Sequence, residues 1–412
     1  MKAIKYTVQS IAALLTVLCA AVMATVAVEA VRLPDAFNVV EGTPLVVKSG
    51  LPVQAEYRES RSSGTVESRR LSADRYTAEL KLFGVFPIKS ADVRVIDELY
   101  VRPSGESFGI KLFTNGVVVV GLSSVETAEG SARPAQAAGI QINDNILSVD
   151  GEAVHSNEAV AELISKSEGR TLCVRLIRNG QAHTLWLAPA KCKSDGAYKA
   201  GMWVRDSSAG IGTMTFYSPA TGIAAGLGHG ICDVDTGQLL PLSSGEMVEA
   251  KISAVEKSVS GAPGELKGSL TGNRIGEVLL NSATGIYGSF AWDGSDSGLL
   301  PVAMKQEVKT GAAEILSTID GGAVQRFTCE LEKVRLDPDE QTQNLVIRIT
   351  DGRLLARCGG IVQGMSGSPI LQNGKLVGAV THVFVGDPER GYGILAENML
   401  NTAQSVAQQS AR

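Results

Sequence analysis

The 412-residue chain has little of several things that would define a function class. Its six cysteines include no C-x-x-C pair, and Cys19 lies in an apolar N-terminal run. Cys173, Cys192, Cys232, Cys329 and Cys358 are left, an odd number that supports neither a disulfide framework nor a zinc ribbon. H-E-x-x-H is absent, no His/Cys pair has ligand spacing, and neither a metal nor another cofactor is expected. Basic charge is not in excess: 38 Lys+Arg against 43 Asp+Glu give a net charge of −5, without the footprint of a nucleic-acid binder. Aromatics are only 5%, and helical periodicity is scarce. What the chain does have is glycine, 45 residues of it, between short Val/Ile runs. That texture reads as turn-rich, mainly β structure, with 44% hydrophobic residues to build cores and a length suited to two or three domains.

The N-terminus carries an address. Lys2 and Lys5 precede a charge-free stretch, apolar almost throughout from Ile11 to Val28. Charge first and apolar run second is the layout of a secretory signal or of a single-span anchor. Val28-Glu29-Ala30 offers a weak small-residue cleavage site, so residues 1–30 are expected to act as signal peptide or membrane anchor.

Residues 31–92 are expected to form a linker or N-terminal segment, polar and broken from Arg32 to about Arg75. Glu56–Gly64 and Glu67–Arg70 mix both charge signs with serine and glycine, the composition of a solvated linker or exposed loop. Apolar character resumes at Leu80–Ile88. From 93 to 190 a compact unit is expected. Pro103–Gly105 leads into Ser107-Phe108-Gly109-Ile110, Val117–Val120 forms a short strand, and Asn143–Gly151 is a strand closed by an Asp-Gly turn. Asn157–Ser165 fits a short amphipathic helix, and Asn179-Gly180 joins two strands as a hairpin. The order, with A-x-x-A-G-I-x-x-x-D-x-I-L-x-V-D-G between Ala135 and Gly151, resembles a PDZ domain. Ser107, Phe108, Gly109 and Ile110 stand where that family has its carboxylate-binding loop, a nest of backbone N–H groups beside a strand edge that accepts a peptide. A β-rich packing module without a ligand is the plainer reading of the same residues.

From 194 to 412 short apolar strands alternate with glycine turns, and helical periodicity returns mainly at Ala396–Val406, as expected of a sandwich or a pair of β-barrels. Here lies the most informative stretch, Gly364-Met365-Ser366-Gly367-Ser368-Pro369. G-x-S-G-x-P resembles the nucleophile loop of trypsin-like serine peptidases. Its glycines permit a tight backbone that exposes Ser366 and turns the N–H groups of Gly364 and Ser366 toward one point, as an oxyanion hole requires. A polar β-turn would use the same residue types. A nucleophilic serine also needs a base, and the chain has four histidines. His155 and His183 fall in the PDZ-like unit and read as surface residues. His229 ends an apolar strand in Gly226-Leu227-Gly228-His229-Gly230 and precedes the serine, one residue per barrel. It is the expected base, whereas His382, after the serine, suits a substrate pocket or a structural place in the sheet.

Three blocks, Gly226–Asp233, Gly359–Ile370 and Gly378–Pro388, closely resemble the SpoIVB-type serine peptidases of sporulation, as does the order of anchor, PDZ unit and peptidase. The resemblance covers most of residues 80–400. It implies a PDZ domain followed by a trypsin-like double β-barrel. It also implies export across the forespore membrane into the space between forespore and mother-cell membranes. The implied substrate is the extracellular part of a membrane-bound regulator, whose cleavage triggers intramembrane proteolytic activation of a late sigma factor. Self-cleavage before the PDZ domain is implied as well, and the polar stretch between Tyr57 and Arg75 suits it physically. Asp351 matches the family's acidic position and would hold the imidazole of His229. Asp233 and Asp235 are rivals by proximity to His229, and a turn aspartate before Gly352 is the structural alternative. Partners at the PDZ loop would be peptides or C-terminal tails, including those of its own kind.

Two other functions fit less well. A general envelope quality-control protease of HtrA type would usually place its PDZ domain after the peptidase. A catalytically silent PDZ scaffold would not need the intact Ser366 loop and His229.

Overall fold

A computed structural model describes residues 2–47, 51–57, 75–290 and 298–410. The chain is mainly β, with 51% strand against 16% helix. The helix Lys2–Arg32 contains the segment Ala13–Arg32, long and apolar enough to cross a membrane (20 residues, mean hydropathy 2.3). Among its described side chains, reduced exposure is confined to Val22, Thr25, Val26, Glu29 and Ala30 near its end.

After the helix comes a four-stranded sheet rather than a linker. Ala36–Val40 pairs in parallel with Phe86–Ile96, which pairs with Arg75–Leu82, which pairs with Val53–Tyr57. Alternate residues of these strands face inward, so Phe37, Val39, Val53, Ala78, Leu80, Leu82, Ala91 and Val93 bury a core of their own with Leu33. The expectation of a solvated segment from Arg32 to about Arg75 therefore fails for its described part. Residues 58–74, where self-cleavage is expected, lie outside the described residues. The sheet docks on the rest of the chain through the buried carboxylate of Glu397, which accepts from Asn38 Nδ2 at 2.7 Å and from Lys305 N at 2.6 Å.

Two barrels follow. In the second, Gly311–Ser317, Gln325–Val334, Leu345–Ile349, Asp387–Leu395, Lys375–Phe384 and Pro369–Gln372 close in that order into a barrel. The first closes through two unusually long strands, Ser107–Leu122 and Met202–Ser218. Residues 107–113 of the one pair with 207–213 of the other, and the ring continues through Ser244–Glu256, Glu265–Ser282, Gly285–Phe290 and Ile223–Gly226. The C-terminal helix Ala396–Ser410 packs on strands of both barrels.

Beyond the barrel the same two strands run on as a ribbon, with Met202–Arg205 pairing against 118–122. Residues 123–201 are inserted at its tip. They form the PDZ unit around Val119, Ile146, Val149, Val160, Ile164, Val174 and Leu187. Local chemistry shapes its parts. Ser156 Oγ accepts from Ala159 N to cap the helix Asn157–Lys166, and Asn179-Gly180, both at positive φ, turn Leu172–Arg178 into Gln181–Leu187.

This topology moves the expected boundaries. Residues 93–96 belong to the N-terminal sheet, and 107–113 belong to the first barrel. It also overturns the carboxylate-binding loop at Ser107–Ile110. Phe108 pairs with Gly212 on one side and Glu249 on the other, so the segment is a central strand with no nest of free N–H groups. Phe108 and Ile110 are buried in the barrel core, and Gly109 is there because a Cβ would lie 2.3 Å from Leu270 Cδ2. Truncating Phe108 to alanine should consequently cost stability, by about 3–5 kcal/mol as for buried aromatics generally. A urea-denaturation midpoint unchanged from wild type would contradict the buried placement.

Candidate functional site

The site forms where the two barrels meet. From the first barrel, the strand Ile223–Gly226 ends in Leu227 and Gly228, both at positive φ (65° and 69°), which swings His229 out of the sheet. Gly228 is required at this contact, since a Cβ would stand 2.9 Å from Ile394 Cγ2 and 3.0 Å from Thr381 Cγ2 of the second barrel. From the second barrel, the Ser366 loop precedes Pro369–Gln372, with Gly364 at φ 94° and Gly367 at φ 97°. A Cβ on Gly367 would lie 1.9 Å from the carbonyl oxygen of Thr213, so this position admits glycine alone.

Thr213 and Thr215, on the strand Met202–Ser218, tie the serine loop to the first barrel. Thr213 N donates to Ser366 O at 2.9 Å, Thr213 Oγ1 to Gly364 O at 2.8 Å, and Thr215 Oγ1 to Gly367 O at 2.8 Å. The Thr213 carbonyl in turn accepts from Leu227 N at 3.2 Å, at the root of the His229 loop. Sequence reasoning missed both threonines. Their signal is polar alternation in an otherwise apolar run, Thr213-Met214-Thr215-Phe216.

His229 and His382 come together, with ring centroids 4.5 Å apart and ring planes 36° from parallel. Nδ1 of His229 lies 2.9 Å from the carbonyl of Gly230. A carbonyl can only accept, so Nδ1 carries the proton and Nε2 is left as the acceptor, the tautomer a general base needs. Burial penalises the imidazolium and holds the pKa of His229 below the ordinary value, against a smaller upward pull from the Gly230 bond. His382 is lowered too, first by loss of solvent around its ring and then by the neighbouring His229.

Ser366 Oγ donates to Thr381 O at 2.6 Å rather than to His229. The hydroxyl is at rest on a carbonyl, and a rotation about χ1 must release it before it meets a base. Met365, Gly367 and Ser368 donate their N–H groups to Val362, Val380 and Met365. The N–H groups of Gly364 and Ser366, the expected oxyanion donors, have no acceptor among the described residues.

Asp351 is not brought to the site. Its carboxylate accepts from Arg353 N at 2.9 Å and from Thr328 N at 3.3 Å, and it pairs with the Arg353 guanidinium at 2.8 Å. It caps the helix Gly352–Cys358, and Arg353 above all holds its pKa well below the usual carboxylate range. The expected role of orienting His229 is thus corrected: this carboxylate is taken up by Arg353 of the capping turn and by Thr328 N of the strand Gln325–Val334. Nor do the rivals reach His229. Asp233 is buried against Arg205 and accepts from Asp235 N and Thr236 N, and Asp235 takes the other arm of Arg205 at 2.8 Å.

A family model described as SpoIVB peptidase S55 matches residues 196–400, and a PDZ-domain model matches residues 108–188. The chain belongs to the SpoIVB peptidase S55 family. It is a serine endopeptidase that carries a PDZ domain. Among solved structures, the active form of the Rv3671c protease from M. tuberculosis is 17% identical over 48% of this chain and 74% of its own, with a TM-score of 0.28. The HtrA-type protease AlgW with tripeptide is 13% identical over 49% of this chain and 57% of its own, with a TM-score of 0.31. The PDZ domain of the SdrC-like protein from Listeria monocytogenes is 20% identical, covering 22% of this chain and 87% of its own, with a TM-score of 0.18. No curated protein matches the chain.

Within this peptidase, Thr213 and Asp351 should behave in opposite ways. Thr213→Val orphans the half-buried Gly364 carbonyl at a cost of about 1 kcal/mol. Labelling of Ser366 by a fluorophosphonate should then slow by about tenfold. Asp351→Asn keeps a capping side chain and should label within about threefold of wild type. The reverse ranking would restore Asp351 to the mechanism.

Proposed function

We propose that Ser366 is the nucleophile, His229 the general base, and the N–H groups of Gly364 and Ser366 the oxyanion donors of this serine endopeptidase. The observation that carries the reading is one junction between two barrels. It holds a hydroxyl, an imidazole in its acceptor tautomer and two donors that have no acceptor among the described residues. On binding an extended peptide, Ser366 Oγ leaves Thr381 O, passes its proton to His229 Nε2 and attacks the scissile carbonyl. The developing oxyanion is met by Gly364 and Ser366, and His229 then returns the proton to the leaving amine. The Gly230 carbonyl takes the orienting part usually given to an aspartate. His382, beside the base, lines the substrate side.

The substrate we infer is the extracellular part of a membrane-bound regulator, cut after export so that an intramembrane protease can activate a late sporulation sigma factor. What supports this is the family, the apolar N-terminal helix and the PDZ unit. The location we infer is the forespore membrane and the space it shares with the mother-cell membrane. Peptides or C-terminal tails would dock beside Met202–Asp206 rather than at Ser107–Ile110. That stretch borders the helix Asn157–Lys166, whose Asn157 N donates to Asp206 Oδ2 at 3.1 Å. It pairs on one edge with 118–122, and its other edge meets no strand among the described residues. Met202, Val204 and Leu163 are half-buried there, as an added strand requires.

Self-cleavage between Tyr57 and Arg75 is part of the same proposal, because these residues bound two strands that pair with each other and the sequence between them is polar and mixed in charge. Expression of the wild type should yield a shortened species beginning in that interval, while Ser366→Ala stays uncut there and loses at least about 10⁴-fold in cleavage of a regulator ectodomain. Shortening that persists in the serine variant would assign the cut to another protease. The pH dependence of kcat/KM supplies a separate check. Since burial favours neutral imidazole, His229 stays a competent base to lower pH than an exposed histidine, and the acidic limb should lie below 6.5. A limb above 7 would exclude His229 as the titrating base.

A further inference from the structure

The turn Phe83-Gly84-Val85-Phe86 joins the strands Arg75–Leu82 and Phe86–Ile96 and contradicts the usual rules for a hairpin tip. Such turns favour Asn, Asp or Gly at positive φ. Here Phe83 stands at φ 53° before Gly84 at φ 70°. An aromatic residue in the left-handed region is uncommon, and this one gains no burial in exchange. Phe83, Val85 and Phe86 are 53%, 68% and 42% exposed, whereas Leu82 beside them is buried. Three large apolar side chains on one solvent-facing tip, one of them in a disfavoured backbone region, call for a partner that the isolated chain lacks.

The position of the tip identifies that partner. Ala36–Val40 runs parallel to Phe86–Ile96, with Ala36 opposite Asp92. Followed backwards, the two chains stay together: Asp35 pairs with Lys89 at 2.7 Å, and Lys89 Nζ donates to Ala30 O at 2.9 Å. Ala30 is already inside the apolar helix. Further back, Val22, Thr25, Val26, Glu29 and Ala30 are the helix residues with reduced exposure, at the i, i+3, i+4 spacing of one face, and Val26 shares a cluster with Ile88. From Lys89 to Phe86 the strand covers about 10 Å. The helix descends the same distance in about seven residues. The tip therefore lies level with Met23, about halfway along Ala13–Arg32, a span whose length of about 30 Å matches the hydrocarbon core of a bilayer. The lysines that flank the tip are both paired, Lys81 with Glu56 and Lys89 with Asp35, so no uncompensated charge accompanies it.

We propose that the hairpin tip Phe83–Phe86 is a second membrane contact of this protein, set into the lipid bilayer beside the N-terminal helix that crosses it. The proposal rests on that helix remaining attached as an anchor. It is independent of the peptidase reading, since nothing in it involves Ser366 or His229. Two attachments a short distance apart fix the orientation of the N-terminal sheet on the membrane. A single helix leaves the sheet free to rotate about the helix axis.

The test uses the full chain reconstituted in phosphatidylcholine vesicles, with N-terminal sequencing to verify that residues 1–30 are retained. Val85→Trp is compared with Val259→Trp, an exposed position on the peptidase (57%), each as a difference from wild type with its three tryptophans. Phe86→Trp is a second, more conservative probe of the tip. Phospholipids brominated at successive acyl positions then report depth. The tip probes should show blue-shifted emission and quenching that places the indole about 10–15 Å below the headgroup boundary, with little quenching by aqueous iodide. The Val259 probe should show the converse. The proposal is overturned if the tip probes are quenched by iodide as strongly as the Val259 probe. Equal quenching of all three by bromine, or loss of the helix from the vesicle-bound chain, would overturn it as well.

Discussion

The site depends on one residue's backbone and side chain acting together. Thr213 donates through both its amide and its hydroxyl to the Ser366 loop, and its carbonyl accepts from Leu227 at the base of the His229 loop. A nucleophile on one barrel and a base on another have no covalent route shorter than the chain between them. The hydrogen bonds of this threonine make that separation a fixed one. The glycine at 367 follows from the same constraint, since only a residue without Cβ approaches the Thr213 carbonyl so closely.

Thr213 lies on a strand with a second attachment. Met202–Ser218 begins beside the PDZ helix, passes Arg205 with its pairs to Asp233 and Asp235, and ends beneath the Ser366 loop. The PDZ unit is thus an insertion at the tip of a ribbon whose strands are also barrel strands. Along this ribbon Arg205 pairs with Asp233 and Asp235, which follow the His229 loop, and Thr213 binds the Ser366 loop.

Much of this was legible in the residues, and the failures have physical causes. The Ser366 loop and His229 could be read because their geometry is local: glycines within a few positions dictate it. The capped helix and the Asn-Gly hairpin of the PDZ unit were legible for the same reason. The segment Ser107–Ile110 misled because Gly109 is compatible with two roles, a nest glycine or a packing glycine. Only the long-range neighbours Leu270 and Val248 decide for packing. The N-terminal sheet was hidden by the polar run between its second and third strands, which outweighs alternation in strands as short as Val53–Tyr57. Asp351 followed the family pattern, while the chemistry beside it, a glycine and an arginine able to complete a cap, belonged to a helix start.

The most direct test of the account is a crystal structure of the Ser366 adduct with a peptidyl phosphonate. The account predicts that Oγ has left Thr381 O and is bonded to phosphorus. The phosphonyl oxygen should accept from the N–H groups of Gly364 and Ser366, and His229 Nε2 should lie within hydrogen-bond reach. Thr213 should keep its bonds to the loop. An adduct whose oxygen points away from those two N–H groups, or one in which Asp351 has turned to hold His229, would contradict it.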